Sequence, residues 1–283
     1  MNRSDPTTSS SAEQVDHLAH VLLAIRAFGL VSTRTVAVEV GPEYTENSIV
    51  VTLATLHRQG PVRPRDLDDA LGLSSPNVSR IVDRLEASGD LVRRAHEVAS
   101  DQRAVLLRLT PAGKRRVRGI SEAVFTDAAP LTSLAKDATY HLEALGVGTT
   151  STGGSDEPVS LCEGLGRLGL TLQAVLLDIA GDVAGALTLC ALAVTDGQGR
   201  PSSIADRVGL TSGGTTKVLD RLESSGYIER SFGTSSDRRA VELRLTRTGC
   251  DRLARLSDDI APHLAELHSV LASVLQLLQR RTR

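Results

Sequence analysis

The chain has 283 residues, a formal net charge of −2 and three cysteines, a length that suits two domains each able to bury a core. Near-neutrality means that a nucleic-acid partner would have to be met by a local basic patch, and the scarcity of aromatics (2%) argues against recognition of single strands by base stacking. Cys162, Cys190 and Cys250 are too few and too scattered for a disulfide framework, which fits a reducing cytoplasm.

In chain order, residues 1–12 lack an apolar core, which excludes a signal peptide, and read as a disordered tail. Glu13 to about Val38 reads as a long helix on the spacing of Val15, Leu18, Leu22, Leu23, Ile25 and Phe28, and Gly41 and Pro42 break it. Asn47–His57 is a second helix. Pro64–Leu71 is a short one with Leu67, Ala70 and Leu71 inward, turning at Gly72. Ser74 and Ser75 can cap the next helix, with Pro76 in its first turn. Val78, Ile81, Val82 and Leu85 form its apolar face, and Gly89 is a left-handed stop. Leu91–Arg94 and Ala104–Leu109 read as two strands of a wing around a polar segment, 95–103. Thr110 caps a helix that Pro111 opens and that runs to about Phe125. Pro130 interrupts, and Leu131–Leu145 is a further amphipathic helix.

Residues 146–157, GVGTTSTGGSDE, form a linker by composition, able to reach at most ~40 Å. From Pro158 the pattern restarts, with a helix to about Ile179. Another runs from Val183 to Val194, the longest apolar run and too short to cross a membrane. Then Thr211 caps, Val218, Leu219 and Leu222 pack, Gly226 stops and Thr246 caps again. The last helix carries Leu264, Leu267, Val270, Leu271, Val274, Leu277 and Leu278, a stripe that needs a partner.

The restart is a repeat. Residues 72–93 align with 209–230 without a gap, and after a one-residue difference the copies meet again at Asp101 and Asp237. Short helix, turn, helix, two-stranded wing and helix make a winged helix-turn-helix, whose second helix enters the major groove of DNA. The fold class is therefore mainly α with small β wings. The domain reading is a tail (1–12), a first winged unit (13–145), a linker (146–157) and a second winged unit (158–283).

Each copy has a helix ending Asp-Arg-Leu-Glu, then a glycine, then a wing closing as Asp-x-Arg, five residues and Leu-Thr-x-x-Gly. These are Asp83 to Glu86, Gly89, Asp101, Arg103, Leu109, Thr110 and Gly113, and again Asp220 to Glu223, Gly226, Asp237, Arg239, Leu245, Thr246 and Gly249. The pattern resembles the MarR family of bacterial transcription regulators over nearly the whole chain apart from tail and linker. Family members are usually single-copy chains that dimerise, whereas here both copies lie in one polypeptide. The resemblance implies that the terminal helices, which intertwine between two protomers, here intertwine between the two halves as an intrachain pseudo-dimer, monomeric as a chain. Tethering replaces association by an effective concentration on the order of millimolar. The resemblance also implies a small-molecule effector bound between the helical region and a winged unit.

The candidate DNA contacts follow from this frame. In the first recognition helix Ser75, Asn77, Ser79 and Arg80 face outward. In the second the set is Thr211, Ser212, Thr215, Thr216 and Lys217. Arg80 suits guanine and Asn77 adenine, while Lys217 is a less directional donor. Gly213 and Gly214 either avoid a clash or permit close approach to the DNA backbone. The resemblance places Arg103 and Arg239 in or near the minor groove, with Asp101 and Asp237 orienting them, unless each pair only closes its hairpin. Arg84 and Arg221 bind phosphate or brace the helix. Arg63, Arg65 and Arg200 would touch phosphates. Between Arg93 and Arg118 the basic residues Arg93, Arg94, Arg103, Arg108, Lys114, Arg115, Arg116 and Arg118 face only Glu97 and Asp101, which favours phosphate contact over a merely solvated face.

Elsewhere the chemistry is bland. Cys162 lies where a peroxide-sensing branch of the family keeps its thiol, but a small buried residue is the simpler reading. His17 and His20 share a helix face without the ligand spacing of a metal site. No nucleophile–base pair, phosphate loop or Rossmann glycine pattern points to an enzyme, so neither catalytic residues nor a cofactor are expected. The sequence reads as a cytoplasmic regulator of double-stranded operator DNA, a repressor by default, with no membrane partner. The alternative is a protein-binding antirepressor or ligand-binding scaffold derived from the same fold.

Overall fold

A computed structural model describes residues 6–95, 105–148, 161–180, 182–232 and 241–281. The first half contains α1 (Pro6–Glu39), α2 (Asn47–Gln59), α3 (Pro64–Leu71), α4 (Ser75–Ala87), β1 (Leu91–Ala95), β2 (Val105–Leu109), α5 (Pro111–Thr126) and α6 (Ala128–Ala144). The second contains α7 (Leu161–Ala180), α8 (Val183–Ala193), β3 (Gln198–Gly199), α9 (Pro201–Val208), α10 (Ser212–Ser224), β4 (Ile228–Phe232), β5 (Val241–Leu245), α11 (Arg247–Ile260) and α12 (Leu264–Arg281).

Local chemistry sets the ends of these elements. Thr110 and Thr246 each accept a hydrogen bond from the backbone N–H three residues on, which starts α5 and α11. The donors, Gly113 and Gly249, have no room for a side chain. A Cβ at Gly113 would lie 2.1 Å from the carbonyl oxygen of Asp90, and one at Gly249 would lie 2.1 Å from that of Tyr227. The glycine that closes each Leu-Thr-x-x-Gly motif thus lets a helix start against the strand that opens the wing.

Three boundaries differ from the sequence reading. The first helix starts at Pro6, so residues 6–12 extend α1, while residues 1–5 lie outside the described residues. Proline suits a first helical position, and serine or threonine costs a helix less than ~1 kcal/mol each. Pro130 does not interrupt a helix but sits in the first turn of α6, where its missing N–H has no intrahelical partner to lose. The break falls at Asp127 instead. The wing of the second copy is three-stranded, because β3 pairs with β5 through Gln198 opposite Arg244 and Gly199 opposite Leu243. In the first copy that edge is a single bridge, with Val62 and Leu107 exchanging hydrogen bonds of 3.2 and 2.8 Å. Two residues are too few to show a period-2 pattern. The linker from residue 149 onward lies outside the described residues.

The chain gathers into two compact units, one drawn from residues 1–30, 133–154 and 171–272, the other from 31–132, 155–170 and 273–283. Each holds one winged motif together with residues from the opposite half of the sequence. In the 31–132 unit, Glu163 of α7 forms a two-point ion pair with Arg58 of α2, at 2.9 and 3.2 Å. Cys162 of α7 lies against Ser121 and the carbonyl of Val117 in α5. In the 171–272 unit, Arg26 of α1 donates through Nε to the carbonyl of Val208 at 2.8 Å. The stripe of α12 is covered, with Leu264, Leu267, Leu271, Val274 and Leu278 all buried.

By length and composition Ser11–Glu39 of α1 is apolar enough to cross a membrane, which a search for unbroken apolar runs passes over. Its Leu18, Val21, Leu22, Ile25 and Phe28 are core residues of the protein.

Gly249→Ala should lower the unfolding free energy measured by chemical denaturation by about 1–3 kcal/mol, because the new methyl must push the Tyr227 carbonyl away. Gly213→Ala, with nothing within 4 Å of the added carbon, is the control and should not destabilise. Equal effects of the two would remove the close-approach argument.

Candidate nucleic-acid interface

The two recognition helices, α4 and α10, are amphipathic in the same frame. Val78, Ile81, Val82 and Leu85 are buried in one, and Val218, Leu219 and Leu222 in the other. Thr211 caps α10 by accepting from the N–H of Gly214 at 3.2 Å. Ser74 stands at the N-cap of α4 without a side-chain cap bond, and Pro76 fills the first turn.

Two sets of carboxylates hold each helix to its surroundings. Asp83 and Glu86, three residues apart on α4, both grip Arg93 of β1. Asp220 and Glu223 of α10 grip Arg230 of β4 at 2.7 and 2.8 Å. The acidic ends of Asp-Arg-Leu-Glu are thus a clamp on a strand arginine. Sequence reasoning missed it, although Arg93 and Arg230 are aligned in the repeat. It follows that Arg93 belongs to this clamp rather than to the phosphate-facing patch. The intervening arginines reach the other way, Arg84 to Glu46 at 2.5 Å and Arg221 to Asp182. Glu46 and Asp182 are the N-cap residues of α2 and α8, so both arginines brace the helix.

A buried polar knot stands behind α4 in the 31–132 unit. Asp90 is fully buried and accepts from the Tyr44 hydroxyl at 2.6 Å and from Ser88 Oγ at 3.1 Å. The Arg116 guanidinium lies 4.2 Å over the Tyr44 ring, with Nε 3.7 Å from Asp90. Arg116 is therefore turned into this knot and leaves the basic patch as well. Burial first, then the Asp90 hydrogen bond, push the Tyr44 hydroxyl above its ordinary pKa. Arg94, Lys114, Arg115 and Arg118 are exposed.

Of the outward set in the first helix, Asn77, Ser79 and Arg80 are exposed. Ser75 is exposed too, but its hydroxyl donates to Asp68 of α3, so its proton is committed to the helix-turn-helix angle. In the second helix Ser212, Thr216 and Lys217 are exposed. Thr215 is not on that face. It takes the place of Val78, is buried, and donates to the carbonyl of Thr211 at 2.9 Å. Gly213 has open space around its Cα, so no intrachain clash explains it. Arg63, Arg65 and Arg200 are exposed, with Arg63 and Arg200 at the N-caps of α3 and α9. Asp101, Arg103, Asp237 and Arg239 lie outside the described residues.

Two segments, residues 46–105 and 189–241, match the model of the MarR family. Each spans a helix-turn-helix and the start of its wing, and each contains one clamp. Together they cover less than half of the chain, and each is similar to the family's unit, which is thus matched twice. Over 45 residues the chain is 47% identical to an uncharacterized HTH-type transcriptional regulator of Bacillus subtilis, YfiV. That match covers 16% of this chain and 28% of the relative's length. The crystal structure of the transcriptional regulator Tm0710 from Thermotoga maritima aligns at 26% identity and a TM-score of 0.31, covering 41% of this chain and 82% of that one.

The thiols are of two kinds. Cys162 and Cys190 are buried, and burial pushes them up to about 11 and about 12, which keeps them protonated. Cys250 is exposed in the first turn of α11. His17 and His20 do meet a third histidine, His141, taken up below. Among the described residues no group of three or more His, Cys, Asp or Glu is arranged to hold a metal.

Arg230→Met, which keeps the apolar stem and removes the charge, should cost about 1–2 kcal/mol in thermal or chemical unfolding, since a two-carboxylate network exceeds an isolated exposed pair. Asp220→Asn combined with it should add little further loss. Full additivity of the two would sink the clamp.

Proposed function

We propose that the chain is a sequence-specific double-stranded DNA-binding transcriptional regulator, not an enzyme, that works in the cytoplasm as a single-chain pseudo-dimer. The observation that carries this reading is the pair of recognition helices, held in one frame by identical clamps yet presenting different exposed side chains. One helix offers Asn77, Ser79 and Arg80; the other offers Ser212, Thr216 and Lys217. Two unequal half-sites about one helical turn (~34 Å) apart suit such a pair. Helices packed onto the winged motif of the opposite half support the pseudo-dimer. The wing residues Arg103 and Arg239, with Asp101 and Asp237 beside them, would reach the minor groove, and Arg63, Arg65 and Arg200 the phosphates. Occupancy of a promoter by such a body blocks polymerase, so repression is the default sign.

Ligand control has one structural foothold. In the 171–272 unit a cleft of about 310 Å³ is lined by Asp182, Arg221, Tyr227 and Arg252. It adjoins the end of α10, where Arg221 meets Asp182. A protein-binding antirepressor is the second reading. The exposed Arg80 and Lys217 count against it, since such a protein has no need to keep them.

Duplex selection from a random library, followed by sedimentation velocity at physiological salt, tests this proposal. One 30.0 kDa chain should bind each selected duplex, and the two half-sites should differ in sequence. Arg80→Ala should weaken binding by about 1–3 kcal/mol and relax base preference in one half-site only. Two chains per duplex would overturn the pseudo-dimer, and a library that yields no bound sequence would favour the antirepressor.

A further inference from the structure

Three histidines far apart in sequence meet within the 171–272 unit. His17 and His20 lie on α1 and His141 on α6. His17 Nδ1 and His141 Nδ1 are 2.8 Å apart. The His20 ring stacks flat on His141, with centroids 4.5 Å apart and an interplanar angle of 12°. Tyr140 meets His141 edge-on at 5.1 Å. His20 Nδ1 donates to the carbonyl of Asp16 at 2.9 Å. The facing carboxylates are Asp16 on α1, 3.5 Å from His20, and Asp137 on α6, 3.8 Å from His141, both half-exposed.

Two imidazole nitrogens at hydrogen-bond distance demand one N–H and one lone pair. A first proton on the cluster keeps that bond and is met by the carboxylates. Protonating His141 as well as His17 sets two N–H donors against each other, and protonating it as well as His20 stacks two cations face to face. Among the described residues no metal-ligating group is assembled, so the proton is the ligand this geometry responds to.

We propose that His17, His20 and His141 form an acid-sensitive catch between α1 and α6, and that opening it weakens DNA binding by the second winged motif. The DNA half of this statement rests on the function proposed above. The coupling runs along α1. About 9 Å beyond His20, at 1.5 Å per residue, Arg26 holds the carbonyl of Val208 at the turn that leads into α10. Gly209, left-handed in that turn, packs against Leu30 so closely that a Cβ would lie 2.6 Å from the leucine's Cδ2.

Burial first, then the charge of His20, hold His141 below the ordinary imidazole value of 6.5, against the opposing pull of Asp137. A histidine lowered on folding favours its neutral form in the folded state. Its stabilisation is complete above 6.5 and is lost as pH falls below that value, by up to about tenfold in the folding equilibrium per pH unit for each proton.

The test uses the full chain, as wild type and as His141→Phe, which keeps a flat ring beneath His20 and cannot take a proton. Thermal unfolding and anisotropy with the selected duplex are compared between about pH 7.5 and about pH 5.5, bracketing the histidine range. Wild type should lose stability and at least about tenfold in duplex affinity as pH falls, while the variant loses much less. The direction is diagnostic, because added positive charge alone would tighten DNA binding. Equal pH dependence in both proteins would overturn the proposal, as would wild-type affinity that does not fall. NMR titration of the wild-type histidine ring protons needs no variant. A stepwise, coupled titration of the three rings supports the catch, and three independent curves sink it. Coupled titration in a protein that binds no duplex at either pH would refute the regulator reading and leave the catch standing as a control of stability.

Discussion

Each recognition helix stands where it does because two carboxylates one turn apart close on a single strand arginine. Asp83 and Glu86 take Arg93, and Asp220 and Glu223 take Arg230. The clamp ties the helix that would read DNA to the base of its wing. The braces from Arg84 to Glu46 and Arg221 to Asp182 tie the same helix to the start of the one before it. Some charges that look like a DNA-binding surface in the sequence, Arg84, Arg93, Arg116 and Arg221, are thus internal fastenings. The residues left facing outward are fewer and more specific.

Within that common frame the copies have drifted where the frame permits. Val78 became Thr215 without leaving the buried face, its hydroxyl satisfied by the helix backbone. Asp90, buried under Tyr44, corresponds to Tyr227, which lines an open cleft. Ser75 is tethered by Asp68, whereas Ser212 follows a threonine cap and precedes two glycines. The glycines at 113 and 249 did not drift, because a carbonyl oxygen occupies the space that a side chain would need.

Much of this was legible in the sequence, because helix ends are written in local chemistry. Thr110, Thr246, Gly89 and Gly226 mark their boundaries by capping and by positive φ, and neither depends on distant residues. What was not legible depends on distance. The strand Gln198–Gly199 is too short to carry a pattern, and the clamp arginines look like any other basic residues until the helix and strand are brought together. His141 joins His17 across 124 residues, and no spacing rule links them. The exchange of helices between the halves has no signal in composition, which does not reveal which half covers which stripe.

That exchange has a consequence during synthesis. Arg26 finds its carbonyl partner 182 residues downstream. At roughly 5–20 residues per second, α1 leaves the ribosome about 10–40 s before the turn at Val208 and Gly209 exists. For that interval Leu18, Val21, Leu22 and Ile25 lack the cover that the second half brings and have only first-half neighbours such as α6, and closing so long a loop is slow in itself. A homodimer of short chains can fold each protomer's local parts and then meet its partner. The fused chain must instead keep part of its first helix uncovered until the second winged motif emerges, which makes its nascent form a natural client for chaperones.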